Sequence, residues 1–366
     1  MTFKPVFEDF TRPIQILGPC SAETEKQVME TARQLAEREI KVDLFRAGIW
    51  KPRTRPNSFE GIGTEGLDWL KKVRDEFGFK ITTEVANKDH AFEAIKAGVD
   101  VVWIGARTTV NPFAVQEIAD ALRGTDMPVL VKNPINPDLA LWMGGIERLL
   151  NVGLTRVGAI HRGFSKIGDT VYRNNPEWQI PLDLQREMPG IQIITDASHI
   201  AGNRENLYQV SQSALNLNFE GLMLETHCTP DDAWSDAAQQ VTPEMLKTEI
   251  LDKLVVRKEK GDDPVIKHNI MDLRSQIDLI DKELIQLLAN RMDIAEKIGE
   301  YKKQNNISIY QKTRWNEILE KAMERAEPLG LTAGFMDKIL KVIHQESIDR
   351  QEEVMQKKKD TIESGQ

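Results

Sequence analysis

Eight short apolar runs, spaced through the first 256 residues, constrain this chain more than any other feature. They occupy residues 14–17, 42–45, 79–83, 99–104, 128–131, 156–160, 191–195 and 221–224. Most are separated by 20–35 residues, much of that sequence helical in period, as over 25–38 and 89–97. Runs without strict alternation are buried on both faces, as in a parallel sheet. Eight strand–helix units within about 250 residues predict a (β/α)8 TIM barrel, an α/β fold. A doubly wound open sheet would place a glycine-rich nucleotide turn after the first strand, where this chain has GPCSAE.

The pattern stops abruptly. Of 16 prolines, 14 precede Arg257, as do 18 of 23 glycines. Short alternating elements therefore give way to long helices. The expected division is a barrel over 1–256, a charged linker over 257–268 and an all-α three-helix domain over 269–366. Charge divides too: the first part carries 28 Lys+Arg against 36 Asp+Glu, the second 20 against 21. An acidic total without a basic stretch beyond 357–359 argues against nucleic acid. Two cysteines make no disulfide scaffold, and no apolar run approaches the roughly 20 residues of a membrane helix. The opening MTFKPVFEDF has no signal-peptide character, so a cytoplasmic chain is expected, with no membrane partner.

The residues just beyond each run carry the chemistry. Cys20 comes after the first, Arg46 and Lys51 after the second, and Glu84 ends the third. Arg107 comes after the fourth, Lys132 after the fifth, His161 and Arg162 after the sixth. Asp196 and His199 come after the seventh, Glu225 and His227 after the eighth. In a barrel these ends converge on one mouth, where active sites sit. Arg46, Lys51, Arg107, Lys132 and Arg162 make a cationic zone suited to phosphate plus carboxylate. Cys20, His199, Glu225 and, beyond the last strand, Asp236 offer thiolate, imidazole and carboxylates. That set suits a divalent ion of the Mn, Fe, Co or Zn type better than Mg or Ca. His227 and Cys228 are set aside as ligands, because adjacent residues at a strand end point to opposite sides.

The motifs GPCSAE, KPRT, IGAR, VKNP, HRG, DASH and GLMLETH…SD resemble those of the 3-deoxy-D-arabino-heptulosonate 7-phosphate (DAHP) synthases in their shorter bacterial form. The match spans nearly all of residues 10–250. The resemblance implies condensation of phosphoenolpyruvate with erythrose 4-phosphate, releasing phosphate. It implies Cys20, His199, Glu225 and Asp236 as metal ligands, and Arg46, Lys51, Arg107, Lys132 and Arg162 as the phosphoenolpyruvate cradle. Arg53 and Thr54 would meet the aldose and its phosphate. Lys51 is the expected general acid; Glu84 would orient water or hold a lysine. A Schiff-base aldolase on Lys51 or Lys132 leaves the Cys/His/Glu/Asp set unexplained. The sister synthase that takes arabinose 5-phosphate is nearer in mechanism, but KPRT resembles the erythrose 4-phosphate branch.

From Ile270 onward Leu273, Ile277, Ile280, Leu284, Leu287, Ile294, Ile298 and Tyr301 follow the 3-4 alternation of a helical seam, with Arg291 in one slot. A second helix is expected over about 312–325 and a third over about 335–357, whose inner stripe Ser347 and Gln351 continue. The segment resembles the all-helical chorismate mutases from about 270 to 356. This implies rearrangement of chorismate to prephenate, without a cofactor, by a homodimer. Arg274, Arg291, Lys302, Arg314, Ser347 and Gln351 fall in register with that family's site. Spacing adds a check: Arg291 and Lys302 can face one ligand, whereas Arg274 lies about 25 Å earlier along the axis and must serve another copy. Gln311 and Trp315 stand where relatives often carry Asp and Glu. The alternative is a domain that mainly binds chorismate or prephenate as a feedback sensor and dimerisation module. Together the two resemblances imply a bifunctional enzyme of the shikimate pathway to aromatic amino acids.

Overall fold

A computed structural model describes residues 3–8, 10–51, 59–165, 171–257 and 263–357. The chain divides into two compact units, 1–259 and 260–366.

In the first unit eight parallel strands close into a barrel: β1 (Ile14–Gly18), β2 (Leu44–Arg46), β3 (Ile81–Val85), β4 (Val101–Ile104), β5 (Val129–Lys132), β6 (Val157–His161), β7 (Ile193–Asp196) and β8 (Gly221–Glu225). Each pairs with its sequence neighbours, and β8 closes on β1 with Ile14 opposite Gly221 and Gly18 opposite Glu225. Helices α1 (Glu25–Glu37), α2 (Glu65–Phe77), α3 (Lys88–Ala97), α4 (Pro112–Leu122), α5 (Leu139–Asn151), α6 (Gln179–Glu187) and α7 (Leu207–Asn216) follow β1 to β7. Their starts are written locally. Thr24, Asn87, Asn111 and Asp138 accept hydrogen bonds from first-turn amides of α1, α3, α4 and α5, relieving donors that have no partner within the helix. After β8 the covering element is irregular: an α turn Pro243–Met245, a π turn Leu246–Ile250 and a 3-10 turn Leu251–Lys253.

Two cores result. One lies between barrel and helices; the other fills the barrel with Ile14, Ile16, Leu44, Val101, Trp103, Leu130, Ile160, Ile194 and Met223. Val6 and Phe7 join the inner core, anchored where strands begin by Lys4 N to Thr155 O and Phe7 N to Gln192 Oε1, both 3.0 Å. The strands start two residues later than the apolar runs at Val42 and Phe79. Both residues pack partly buried on the outer core without pairing, since apolarity marks burial rather than strand pairing.

Among the described residues the second unit has three α-helices: α8 (Pro264–Gln304), α9 (Lys312–Ala326) and α10 (Ala333–Gln356). Residues 264–268, expected in the linker, form the first turns of α8, capped by Asp263. α8 is about 60 Å long. It packs on α10 where its residues are smallest: Ala295 and Gly299 are buried, against Ser347, Gln351 and Val354. A Cβ on Gly299 would meet Gln351 Cα at 3.1 Å, so glycine sets the approach of the two helices. Leu273, Ile277, Ile280, Leu284 and Leu287 are all exposed in the single chain.

Candidate active sites

The strand period of two builds the mouth of the barrel. Counting two residues on from an inward apolar residue leads from Leu44 to Arg46, Leu130 to Lys132, Ile160 to Arg162, Ile194 to Asp196 and Met223 to Glu225. The same face that is greasy in the middle therefore ends in charge. His161, one residue out of phase with Ile160, instead packs among Phe164, Trp178 and Phe219 and hydrogen-bonds Pro176 O at 2.6 Å. Burial pushes its imidazole down to about 3, so it stays neutral and structural.

Cys20 Sγ, Glu225 and Asp236 each bring a ligand atom within 4.8 Å of the other two. Cys20 Sγ lies 3.2 Å from Asp236 Oδ2. His199 adjoins them: its Nδ1 is 2.9 Å from Asp196 Oδ2 and 3.6 Å from Glu225 Oε1. His227 does not join them, its Nε2 lying 3.4 Å from buried Glu23. Burial, aided by Glu225, pushes the Cys20 thiol up to about 12. Glu225 Oε1 is buried and, among the described residues, takes no hydrogen bond, its near charge being the Arg46 guanidinium.

Cations surround this group. Lys51 Nζ is 2.9 Å from Cys20 O and 3.2 Å from its Sγ. Burial opposes its charge, but Cys20 and Glu84 outweigh burial and hold the ammonium above the ordinary lysine value. Arg46, 1% exposed, pairs with Glu225 Oε1 at 3.2 Å, while its Nε and Nη1 have no acceptor among the described residues. Lys132 pairs with Asp196 at 2.7 Å. Burial lowers Arg162 to about 10; Asp196 opposes the shift, while neighbouring Arg173 and Arg107 add to it. Arg107 itself is exposed on the turn Ala106–Thr109. Arg53 and Thr54 lie outside the described residues.

Trp103 was an unmarked apolar position in the sequence, yet its ring lies 5.1 Å from the Arg46 guanidinium and 5.7 Å from Lys132 Nζ. Its Nε1 donates to Glu84 Oε2 at 3.2 Å. Glu84 has room because residue 105 is glycine: a Cβ there would sit 2.0 Å from its Oε1. Only the inward phase of β4 could have singled out Trp103.

In the helical unit a cavity of about 360 Å³ is lined by Arg291, Lys302, Arg314, Ser347 and Gln351, together with Gln311, Trp315 and His344. Arg291 Nη1 donates to Ser347 Oγ. Lys302 Nζ donates to Gln351 Oε1 at 3.1 Å and Ile309 O at 2.6 Å. Burial lowers both Arg291 and Lys302 from their ordinary values. Arg274 is not among the residues lining this cavity. His344, unremarked in the sequence, stacks on Trp315 with centroids 4.0 Å apart.

Residues 9–258 match the family model of the DAHP synthetase I family, and residues 273–352 that of chorismate mutase type II. A phospho-2-dehydro-3-deoxyheptonate aldolase of Thermotoga maritima is 31% identical over 63% of this chain and 66% of its own length. A 2-dehydro-3-deoxyphosphooctonate aldolase of Vesicomyosocius okutanii is 27% identical over 70% of this chain and 93% of its own. The crystal structure of a Thermotoga maritima DAHP synthase aligns with 29% identity and a TM-score of 0.57, covering 64% of this chain and 65% of that one. The chain thus spans slightly under two thirds of the Thermotoga relative's length. Among the described residues no helix is long and apolar enough to cross a membrane.

Proposed function

Because this chain belongs to the DAHP synthetase I family over residues 9–258 and carries a type II chorismate mutase match over 273–352, we propose that it is a bifunctional enzyme of aromatic amino acid biosynthesis. The barrel condenses phosphoenolpyruvate with erythrose 4-phosphate; the helical unit converts chorismate to prephenate.

Phosphoenolpyruvate bears a phosphate and a carboxylate, which suit a mouth where Arg173 and Arg107 crowd Arg162. Arg107, Lys132 and Arg162 supply charge to it, and the unpartnered nitrogens of Arg46 supply donors. A divalent ion of the Mn, Fe, Co or Zn type, bound by Cys20, Glu225, Asp236 and His199, would polarise the aldehyde oxygen as a Lewis acid. Lys51, held protonated beside Cys20, gives its proton to that oxygen as the enol carbon bonds to the aldehyde carbon. Water adds at the carbon bearing phosphate, oriented by Glu84, and phosphate departs. Arg53 and Thr54 serve the aldose. The observation that carries this reading is the approach of Cys20, Glu225 and Asp236 to one another with Lys51 against the thiol. The test is phosphate release from the two substrates by the full chain, with and without chelator and with arabinose 5-phosphate as the competing aldose. Turnover indifferent to chelator, or preferring the five-carbon sugar, overturns it.

In the helical cavity Arg291 and Arg314 grip the carboxylates of chorismate, holding its compact conformer. Lys302 and Gln351 donate to the ether oxygen as charge develops there; Gln351 exchanges its bond to Ser347 O for that contact. Arg274 serves the site of a second copy, and burial of the exposed α8 seam supplies the dimer's driving force. Sedimentation at micromolar concentration tests this; a monomer overturns it. The stack of Trp315 on His344 favours a second role, binding without rapid turnover, with prephenate restraining the barrel. That role fails if prephenate leaves synthase kinetics unchanged.

A further inference from the structure

The carboxylates of Glu225 and Asp236 each have one oxygen facing the cation group and one facing away, and the outward oxygens share a single support. Arg173 Nη1 donates to Asp236 Oδ1 at 2.9 Å and to Gln239 Oε1 at 2.7 Å. Gln239 Nε2 in turn donates to Glu225 Oε2 at 2.7 Å. The inward oxygens are Asp236 Oδ2, beside the Cys20 thiol, and Glu225 Oε1, buried 3.2 Å from Arg46 Nη2 and, among the described residues, without a hydrogen bond. Gln239 is 1% exposed. Its orientation is fixed, because Arg173 can only donate and so takes the amide oxygen, leaving the amide NH2 for Glu225.

The support is itself held. The Arg173 stem lies against Gly202, where a Cβ would come within 2.2 Å of Arg173 Cβ. Arg173 N and Asn174 N bond to Ala201 O and Ile200 O, the helical turn that carries His199. Asp236 is kept in the left-handed region at φ 49°, a conformation disfavoured for a non-glycine residue.

We propose that Arg173 and Gln239 are the positioning residues of the cation site, pinning the outer oxygen of each carboxylate so that Asp236 and Glu225 each offer one oxygen to a single ion. This rests on the metal-dependent reading of the barrel. One-oxygen ligation keeps the ligand count low. That suits ions content with four or five N, O or S ligands and disfavours Ca²⁺, which takes six to eight oxygens and often both oxygens of a carboxylate. The relay therefore sets which ion the site prefers as well as how tightly it binds.

The test uses the full chain stripped with chelator and titrated with Co²⁺, read by the cobalt–thiolate absorption band, with Ca²⁺ as competitor. Arg173→Ala and Gln239→Met are expected to weaken Co²⁺ binding by about 10- to 100-fold. Both should narrow the preference for Co²⁺ over Ca²⁺. Arg173→Lys, which keeps one donor, should recover part of the loss, and a purely structural role would not show that order. Cobalt affinity within twofold of wild type and an unchanged spectrum in Gln239→Met overturn the proposal, and that variant decides alone if Arg173→Ala fails to fold. If the wild-type chain gives no thiolate band, or the same band as Cys20→Ala, the metal reading itself falls.

Discussion

The barrel mouth and the helical cavity both gather cations, yet they treat charge in opposite ways. In the mouth the buried cations Lys132 and Arg46 each have a counter-charge, Asp196 and Glu225, and the exposed Arg173 has Asp236. Arg46 and Lys51 are held above their ordinary values despite burial. In the cavity Arg314 pairs with Glu317, but Arg291 and Lys302 have, among the described residues, only neutral partners, Ser347, Gln351 and two carbonyls, and burial lowers both. The mouth is assembled with its own anions; around Arg291 and Lys302 the cavity leaves the anion to be supplied by the ligand. A site that needs a bound cation must carry permanent carboxylates. One that only holds a dianion in shape does better without them.

The largest separation of the two regions is by metal. Chelation, or Cys20→Ala, should abolish the barrel's phosphate release and leave chorismate conversion unchanged. A mutase rate that falls with chelator would break the comparison. Next comes Lys302→Ala, expected to lower chorismate turnover by about 100- to 1,000-fold, the loss seen when one transition-state donor is removed, with phosphate release untouched. Because Gln351 is an amide, the wild-type mutase rate should stay flat between pH 6 and 8. In Gln351→Glu it should fall as pH rises, since only the protonated acid donates.

Stability should separate the regions in the same sense. Asp196 is fully buried; burial opposes its charge, but His199 and Lys132 hold its carboxyl well below the usual range. Asp196→Asn strands Lys132 and should cost about 3–5 kcal/mol, read as a lowered unfolding midpoint of the barrel. Arg291→Met removes a charge with no counter-ion and should cost less than about 1 kcal/mol. Equal losses would mean that both sites are compensated alike.

How far these sites could be read from the sequence depends on chain separation. The strands, their order and the charged residues at their ends share one local period, so Arg46, Lys132, Asp196 and Glu225 announce themselves. Arg173, in a loop, and Gln239, ending a single 3-10 turn, follow no period, and their role exists only because Asp236 and Glu225 meet them across 63 and 14 residues of chain. Trp103 hid among apolar neighbours, since cation–aromatic contact leaves no trace in a hydrophobic pattern. His344 hid for the opposite reason, as one polar residue on a helix rich in them.

His344 gives the smallest effect and the most direct probe of the uncompensated cavity. Burial, then Arg291 and Lys302, lower its imidazole below the ordinary histidine value. Its neighbours are the Trp315 ring at 4.0 Å and the Tyr310 ring at 6.2 Å, neither of which supplies a negative charge. The folded state then binds fewer protons than the unfolded chain once pH drops below about 6.5. Stability from the neutral ring is complete above that pH and is lost as pH falls through the unfolded value toward the folded one. The helical unfolding midpoint of wild type should therefore drop more steeply from pH 7 to 5 than that of His344→Ile. A saturating dianion should flatten the wild-type slope, because its carboxylates supply the missing counter-charge. Parallel slopes with and without the dianion would show that the cavity's cations already have their anions, and the contrast with the barrel would be lost.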